Sequence, residues 1–150
     1  MTITTGTFMR LGIGAAFLAL TACGGGDNIP KKSSRQITPS ITVKGQSVVD
    51  QFVVIKRAEI SEAGFVVIHE MVDGKVVVPQ SVGASPLNKG LNVNVKIALT
   101  KVIAPGSQLL AMLHNDTGKI GVYEFDVGST NVDTPIIHGG KPVVKPFLVN

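Results

Sequence analysis

The side chains able to do chemistry are few: three histidines, one cysteine and scattered acids. His69 ends the run Phe65-Val66-Val67-Ile68-His69, and His114 ends Leu109-Leu110-Ala111-Met112-Leu113-His114. In an extended chain alternate residues share a face. His69 then sits with Phe65 and Val67, and His114 with Leu110 and Met112. If the two segments pair or face each other, His69, His114 and Met112 converge. Two imidazoles and a thioether are soft ligands suited to copper, with zinc as the alternative metal. Two blander roles stay open. Each histidine would end a strand by bonding nearby backbone or Asp116, or would act as a titrating switch or base. His138 precedes Gly139-Gly140 and reads as a turn residue.

Other chemical patterns fail on spacing. His69-Glu70 lacks the second histidine four residues on, where Asp73 stands, and it needs a helix. Gly83-Ala84-Ser85-Pro86-Leu87 resembles a nucleophile elbow only until Leu87 replaces the glycine, so a loop is expected there. Asn115-Asp116-Thr117-Gly118 suits a hairpin turn and lacks the spaced carboxylates of a calcium loop. Gly12-Ile13-Gly14 has no strand before it and is no phosphate loop. Glu124 and Asp126 read as the wet face of an amphipathic strand, not as an acid/base pair.

The N-terminus is an address. Arg10, the apolar run Leu11–Leu20 and small residues after it follow the secretory pattern. The run is shorter than the roughly 18 residues that span a bilayer. Its ending, Leu20-Thr21-Ala22-Cys23, resembles the lipobox of bacterial lipoproteins, in which the cysteine becomes the first mature residue and carries the lipid. That resemblance implies a signal peptide over residues 1–22, acylation of Cys23, and attachment to the cell envelope. Gly24 after the cysteine implies the outer membrane in a two-membrane bacterium. Stable anchoring takes two or more acyl chains, since each buried CH₂ contributes about 0.8 kcal/mol. With Cys23 so placed, no thiol is left for a disulfide, a blue-copper centre or cysteine catalysis.

Residues 23–39 are rich in Gly, Ser, Pro and Lys without apolar periodicity, the mark of a flexible tether. As a coil it reaches about 20–25 Å. The formal charge of +4 belongs mainly to leader and tether, leaving +1 from Gln36 onwards. The aromatic residues of the domain lie in apolar runs instead of a basic stripe, which argues against nucleic acid.

The segments that must position the histidines read as strands. Leu91 to Leu99 alternates apolar and polar residues, predicting a strand with one buried face. Gly64–Glu70 is apolar on both faces and should be central. Asp73-Gly74 predicts a hairpin into Lys75–Val78. Val53–Ile60 loses its alternation at Lys56-Arg57, which predicts a bulge. Leu109–His114 is too short for a stable helix and is taken as a strand. Ile120–Val127 would place Tyr123, Phe125 and Val127 on one face. Val143–Val149 should be an edge strand, since Pro146 cannot donate to a ladder. Eight or nine strands without a helical period predict an all-β fold, a single antiparallel immunoglobulin-like β-sandwich over residues 40–150.

Several of these segments carry a resemblance. Gly64–His69, Ser81–Ser85 with Leu87 and Gly90, Ala111–Gly118, and Gly121–Phe125 are similar to a domain of unknown function. That domain recurs in secreted and surface proteins of haloarchaea and several bacteria. Its members often carry Asp-Gly-Pro where this chain has Asp133-Thr134-Pro135. The resemblance implies an extracytoplasmic β-sandwich and brings no activity with it. The expectation is a non-enzymatic lipoprotein displaying a binding or structural module, anchored in the membrane, with an envelope protein or polysaccharide as partner. Copper or zinc binding through His69, His114 and Met112 is the alternative.

Overall fold

Period-two hydrophobicity governs nearly the whole domain. The computed structural model describes residues 36–150, so the leader, Cys23 and the tether up to Arg35 lie outside them. Ten strands follow: β1 (Ser40–Thr42), β2 (Phe52–Ile60), β3 (Gly64–Val72), β4 (Lys75–Val76), β5 (Gly83–Leu87), β6 (Gly90–Ala98), β7 (Gln108–Asn115), β8 (Ile137–His138), β9 (Lys141–Pro142) and β10 (Val144–Leu148). Every strand pair is antiparallel. One sheet runs β1-β2-β6. The other runs β10-β7-β3-β4, with β5 also paired to β3, while β8 and β9 form a separate hairpin. The fold is an all-β sandwich, and its extra strands over the expected eight or nine are two-residue pieces.

Between the sheets lies an aliphatic core. Val53, Ile55, Ala58, Ile60 and Ile97 come from β2 and β6, and Val66, Ile68, Leu109, Ala111, Leu113 and Phe147 from the second sheet. Each fully buried aliphatic side chain contributes about 1.5–3 kcal/mol relative to exposure. β3 sits centrally, as its two-sided apolar pattern requires, and β10 is an edge strand carrying Pro146. Asp73 and Gly74 both take positive φ, 51° and 73°, in the turn into β4. Gly64 has no alternative: a Cβ there would lie 2.3 Å from the carbonyl oxygen of His114.

Four expectations are corrected. The irregularity at Lys56 is two-sided. Ile55 faces Val95 and Arg57 faces Val93, so the register is unchanged while Lys56 and Asn94 form no bridge. A bulge would insert one residue on one strand. Here both strands change parity together, and Asn94 takes the turn at φ 51°, a conformation asparagine tolerates. Buried positions switch from Val53 and Ile55 to Ala58 and Ile60. Leu91 and Val93 consequently face outward, 49% and 57% exposed, against the single buried face expected of β6.

Gly83–Leu87 is a strand and not a loop, running from Gly64 opposite Leu87 to Ile68 opposite Gly83. Its pairing with β3 outweighs its turn-like composition. Ile120–Val127, by contrast, is no strand but part of an irregular segment. The cause is competition: the carboxylates of Asp116, Asp126 and Asp133 take backbone N–H groups that a ladder would use.

Candidate functional site

β3 and β7 pair over eight positions, with Phe65 opposite His114, Val67 opposite Met112, and His69 opposite Leu110. The alternate residues Val66, Ile68, Leu109, Ala111 and Leu113 supply the core between the sheets. The histidines therefore occupy the other face of the same two strands. Their positions differ by four residues along the ladder, about 13 Å of strand, yet their ring centroids are 5.7 Å apart and stacked at 26°. Both side chains lean inward over the Val67–Met112 pair between them. All six of these residues are buried.

The segment between β7 and β8 covers Phe65 and His114, while Val77 and Gln80 from the β4–β5 connection reach His69. Tyr123 packs edge-on to Phe65 (5.5 Å) and His114 (5.4 Å), and Phe125 packs edge-on to His114 (5.2 Å). Acids hold this cover in shape. Asp133 is wholly buried. Its Oδ1 accepts from Thr117 N (2.8 Å) and Gly118 N (3.2 Å), and its Oδ2 from Glu124 N (2.7 Å). Its own N–H donates to Thr117 Oγ1 at 2.9 Å. Asp116 Oδ2 accepts from Gly121 N, and Glu124 Oε2 from Lys119 N. Burial pushes the Asp133 carboxyl up, but the bonds from Thr117, Glu124 and Gly118, with the nearby His114, hold it below its ordinary value.

Each imidazole is fixed through Nδ1. In His69 it lies 2.7 Å from Gln80 O and 3.2 Å from Val77 O, and in His114 it lies 2.6 Å from Asp133 O. A carbonyl can only accept, so both Nδ1 atoms carry the proton and donate. Nε2 is then the lone-pair nitrogen in each ring. Among the described residues both Nε2 atoms are buried without a hydrogen-bond partner, as are Tyr123 OH and Asp116 Oδ1. Burial lowers the pKa of His69 and takes His114 down to about 4, against the opposing pull of their carbonyl bonds. Burial first, then the charges of Asp133 and Asp126, raises Tyr123 well above its ordinary value. At neutral pH the site holds two neutral imidazoles and a protonated phenol.

Beside the pair opens a cleft of about 530 Å³, lined by Gln80, Ser81, Tyr123, Glu124, Phe125 and Asp126. Gln80 supplies the carbonyl that orients His69, while Tyr123 and Phe125 touch His114, so cleft and imidazoles share walls.

The structure thus brings His69 and His114 together with Met112 between them. It leaves His138 exposed on β8. Asp116 bonds neither histidine; backbone carbonyls take that part. Glu124 and Asp126 are loop residues rather than one face of a strand, and Cys23 lies outside the described residues. Among the described residues, no three or more His, Cys, Asp or Glu side chains are grouped to hold a metal ion. Sequence reasoning missed Asp133 as the brace of the cover and Tyr123 as part of it. Its one pointer was the Asp133-Thr134-Pro135 segment, noted for its departure from Asp-Gly-Pro.

Fold and site together define an all-β sandwich module with a buried histidine pair under an acid-braced cover. The chain belongs to the family described as domain of unknown function DUF7282, whose model matches residues 39–150. No curated protein and no solved structure matches it.

Proposed function

We propose that the mature protein is a lipid-anchored extracytoplasmic module, non-enzymatic, that binds its ligand in the cleft between Gln80-Ser81 and Tyr123–Asp126. The cleft carries this reading. Its volume, about 530 Å³, lies in the range of small-ligand sites, roughly 300–1,000 Å³. It offers aromatic surface from Tyr123 and Phe125 beside the carboxylates of Glu124 and Asp126. Those carboxylates already accept backbone N–H bonds from Lys119 and Val127, which suits recognition better than proton transfer. A projecting group of an envelope protein or polysaccharide fits such a recess.

The anchor rests on Leu20-Thr21-Ala22-Cys23 and the spacer behind it. Expression of the full chain in a bacterium with lipoprotein processing tests it. The protein is expected in the membrane fraction with an acylated N-terminal peptide by mass, and Cys23→Ala is expected to abolish both. A wild-type protein that remains soluble and unacylated overturns this reading.

A further inference from the structure

We infer that His69 Nε2, His114 Nε2 and Met112 Sδ form a binding site for a single Cu(I) ion. The inference goes beyond the cleft and does not need the lipid anchor.

The donor atoms are prepared for a cation. Each ring has its proton committed to a backbone carbonyl through Nδ1, which fixes the tautomer and leaves the lone pair on Nε2. Metal-binding imidazoles characteristically have this outer hydrogen bond, because it sets ring orientation and raises ligand basicity. Both Nε2 atoms are wholly buried and have no hydrogen-bond partner among the described residues. A buried acceptor left unpaired costs about 1–3 kcal/mol, and here two of them belong to rings whose centroids are 5.7 Å apart. No hydrogen bond can join them directly, since two lone pairs face no donor. A cation bonded to both removes the deficit.

The identity of the ion follows from the rest of the donor set. Zinc favours four ligands, and no cluster of three His, Cys, Asp or Glu is present among the described residues. All three proposed donors are neutral. A buried dication would keep its whole charge, which is costly in a site of low polarity. Cu(I) carries half that charge and accepts soft thioether and imidazole ligands. Met112 supplies the thioether from its ladder position between the two histidines. The Asp133 carboxylate, close enough to His114 to influence its protonation, partly balances the ion's charge. Its oxygens are committed to backbone N–H groups, so it acts through space and not as a ligand.

The test uses the full chain in detergent, carrying Cys23→Ser so that no thiol competes for copper. Anaerobic titration with Cu(I) against a chromophoric chelator should show one saturable equivalent. X-ray absorption should show nitrogen and sulfur neighbours, and the ¹⁵N resonances of both Nε2 atoms should shift. His69→Asn and His114→Asn should each lose the site. Asparagine places an amide donor near the position of Nδ1 but has nothing in place of Nε2, so the carbonyl bond survives and thermal unfolding reports whether the fold does. Met112→Leu, nearly equal in volume, should weaken binding and remove the sulfur signal. A folded wild-type chain that takes up no Cu(I), or leaves both Nε2 resonances unmoved, overturns the site. So does a folded His69→Asn, His114→Asn double variant that still binds one equivalent.

Discussion

The two faces of β3 and β7 are made by the same strands and differ completely. Inward, Val66, Ile68, Leu109, Ala111 and Leu113 meet the opposite sheet in an aliphatic core. Outward, Phe65, His69, Met112 and His114 are equally buried, but the cover over Phe65 and His114 is an irregular segment held by carboxylates. One face is sealed by backbone ladders, the other by Asp133, Asp116 and Glu124. The first seal needs only hydrophobicity and period. The second needs particular polar atoms in particular places, and it leaves lone pairs unspent. Chemistry therefore collects on the outward face.

Breaking the inward face should cost most. Leu113→Ala removes a wholly buried side chain from the core and is expected to lower global stability by about 2–5 kcal/mol, read by denaturant unfolding. Asp133→Ala attacks the outward seal. It strands the N–H groups of Thr117, Gly118 and Glu124, at about 1–3 kcal/mol for a buried group so exposed. Its effect should be local. Tyr123 is the only tyrosine and the chain has no tryptophan, so the tyrosine band of the near-ultraviolet dichroism, at longer wavelength than the phenylalanine bands, reads the cover. That signal should collapse while the far-ultraviolet strand signal persists below the midpoint. Simultaneous loss of both would show that the two faces are one cooperative unit.

Acid should separate the faces further. His114 titrates at about 4 in the folded metal-free domain and near 6.5 when unfolded. The unfolded chain thus binds more protons between these values. Stability is full above pH 6.5 and falls as pH drops towards 4, by on the order of 3 kcal/mol. His69 shifts the same way and adds to the fall. Asp133 has the usual carboxylate sign and its contribution is lost only below about pH 4. Denaturant midpoints from pH 8 to pH 4 check this, and His114→Asn should flatten the curve. The smallest effect belongs to the Lys101–Glu70 ion pair, 2.6 Å long but solvent-exposed. Lys101→Ala should cost less than about 1 kcal/mol, and a larger loss would mean that the β3 end supports the histidine site.

Much of the inward face is legible residue by residue. Gly64–His69 is apolar on both sides because it lies at the centre of a sheet, and Pro146 falls on an edge because it lacks an N–H. Asp73-Gly74 turns the hairpin because those residues accept positive φ. The outward cover is not legible in this way. Tyr123, Phe125 and Val127 alternate with Glu124 and Asp126 as a strand would, but the N–H of Glu124 is claimed by Asp133, nine positions away. Leu91 and Val93 likewise alternate properly, and only the paired change of parity at Lys56 and Asn94 turns them outward.

By itself the sequence determined the all-β class, most of the strands, and the face of its own strand that each histidine would share. Those follow from side-chain period and from which residues can bend or break a chain. Only the tertiary structure decided that β3 pairs with β7 in the register placing Val67 opposite Met112, with the two histidines leaning together across that pair. Only it decided, too, that a distant aspartate would fold a strand-like segment into a lid over them. Both depend on hydrogen bonds between residues far apart in the chain, whose partners no local pattern names.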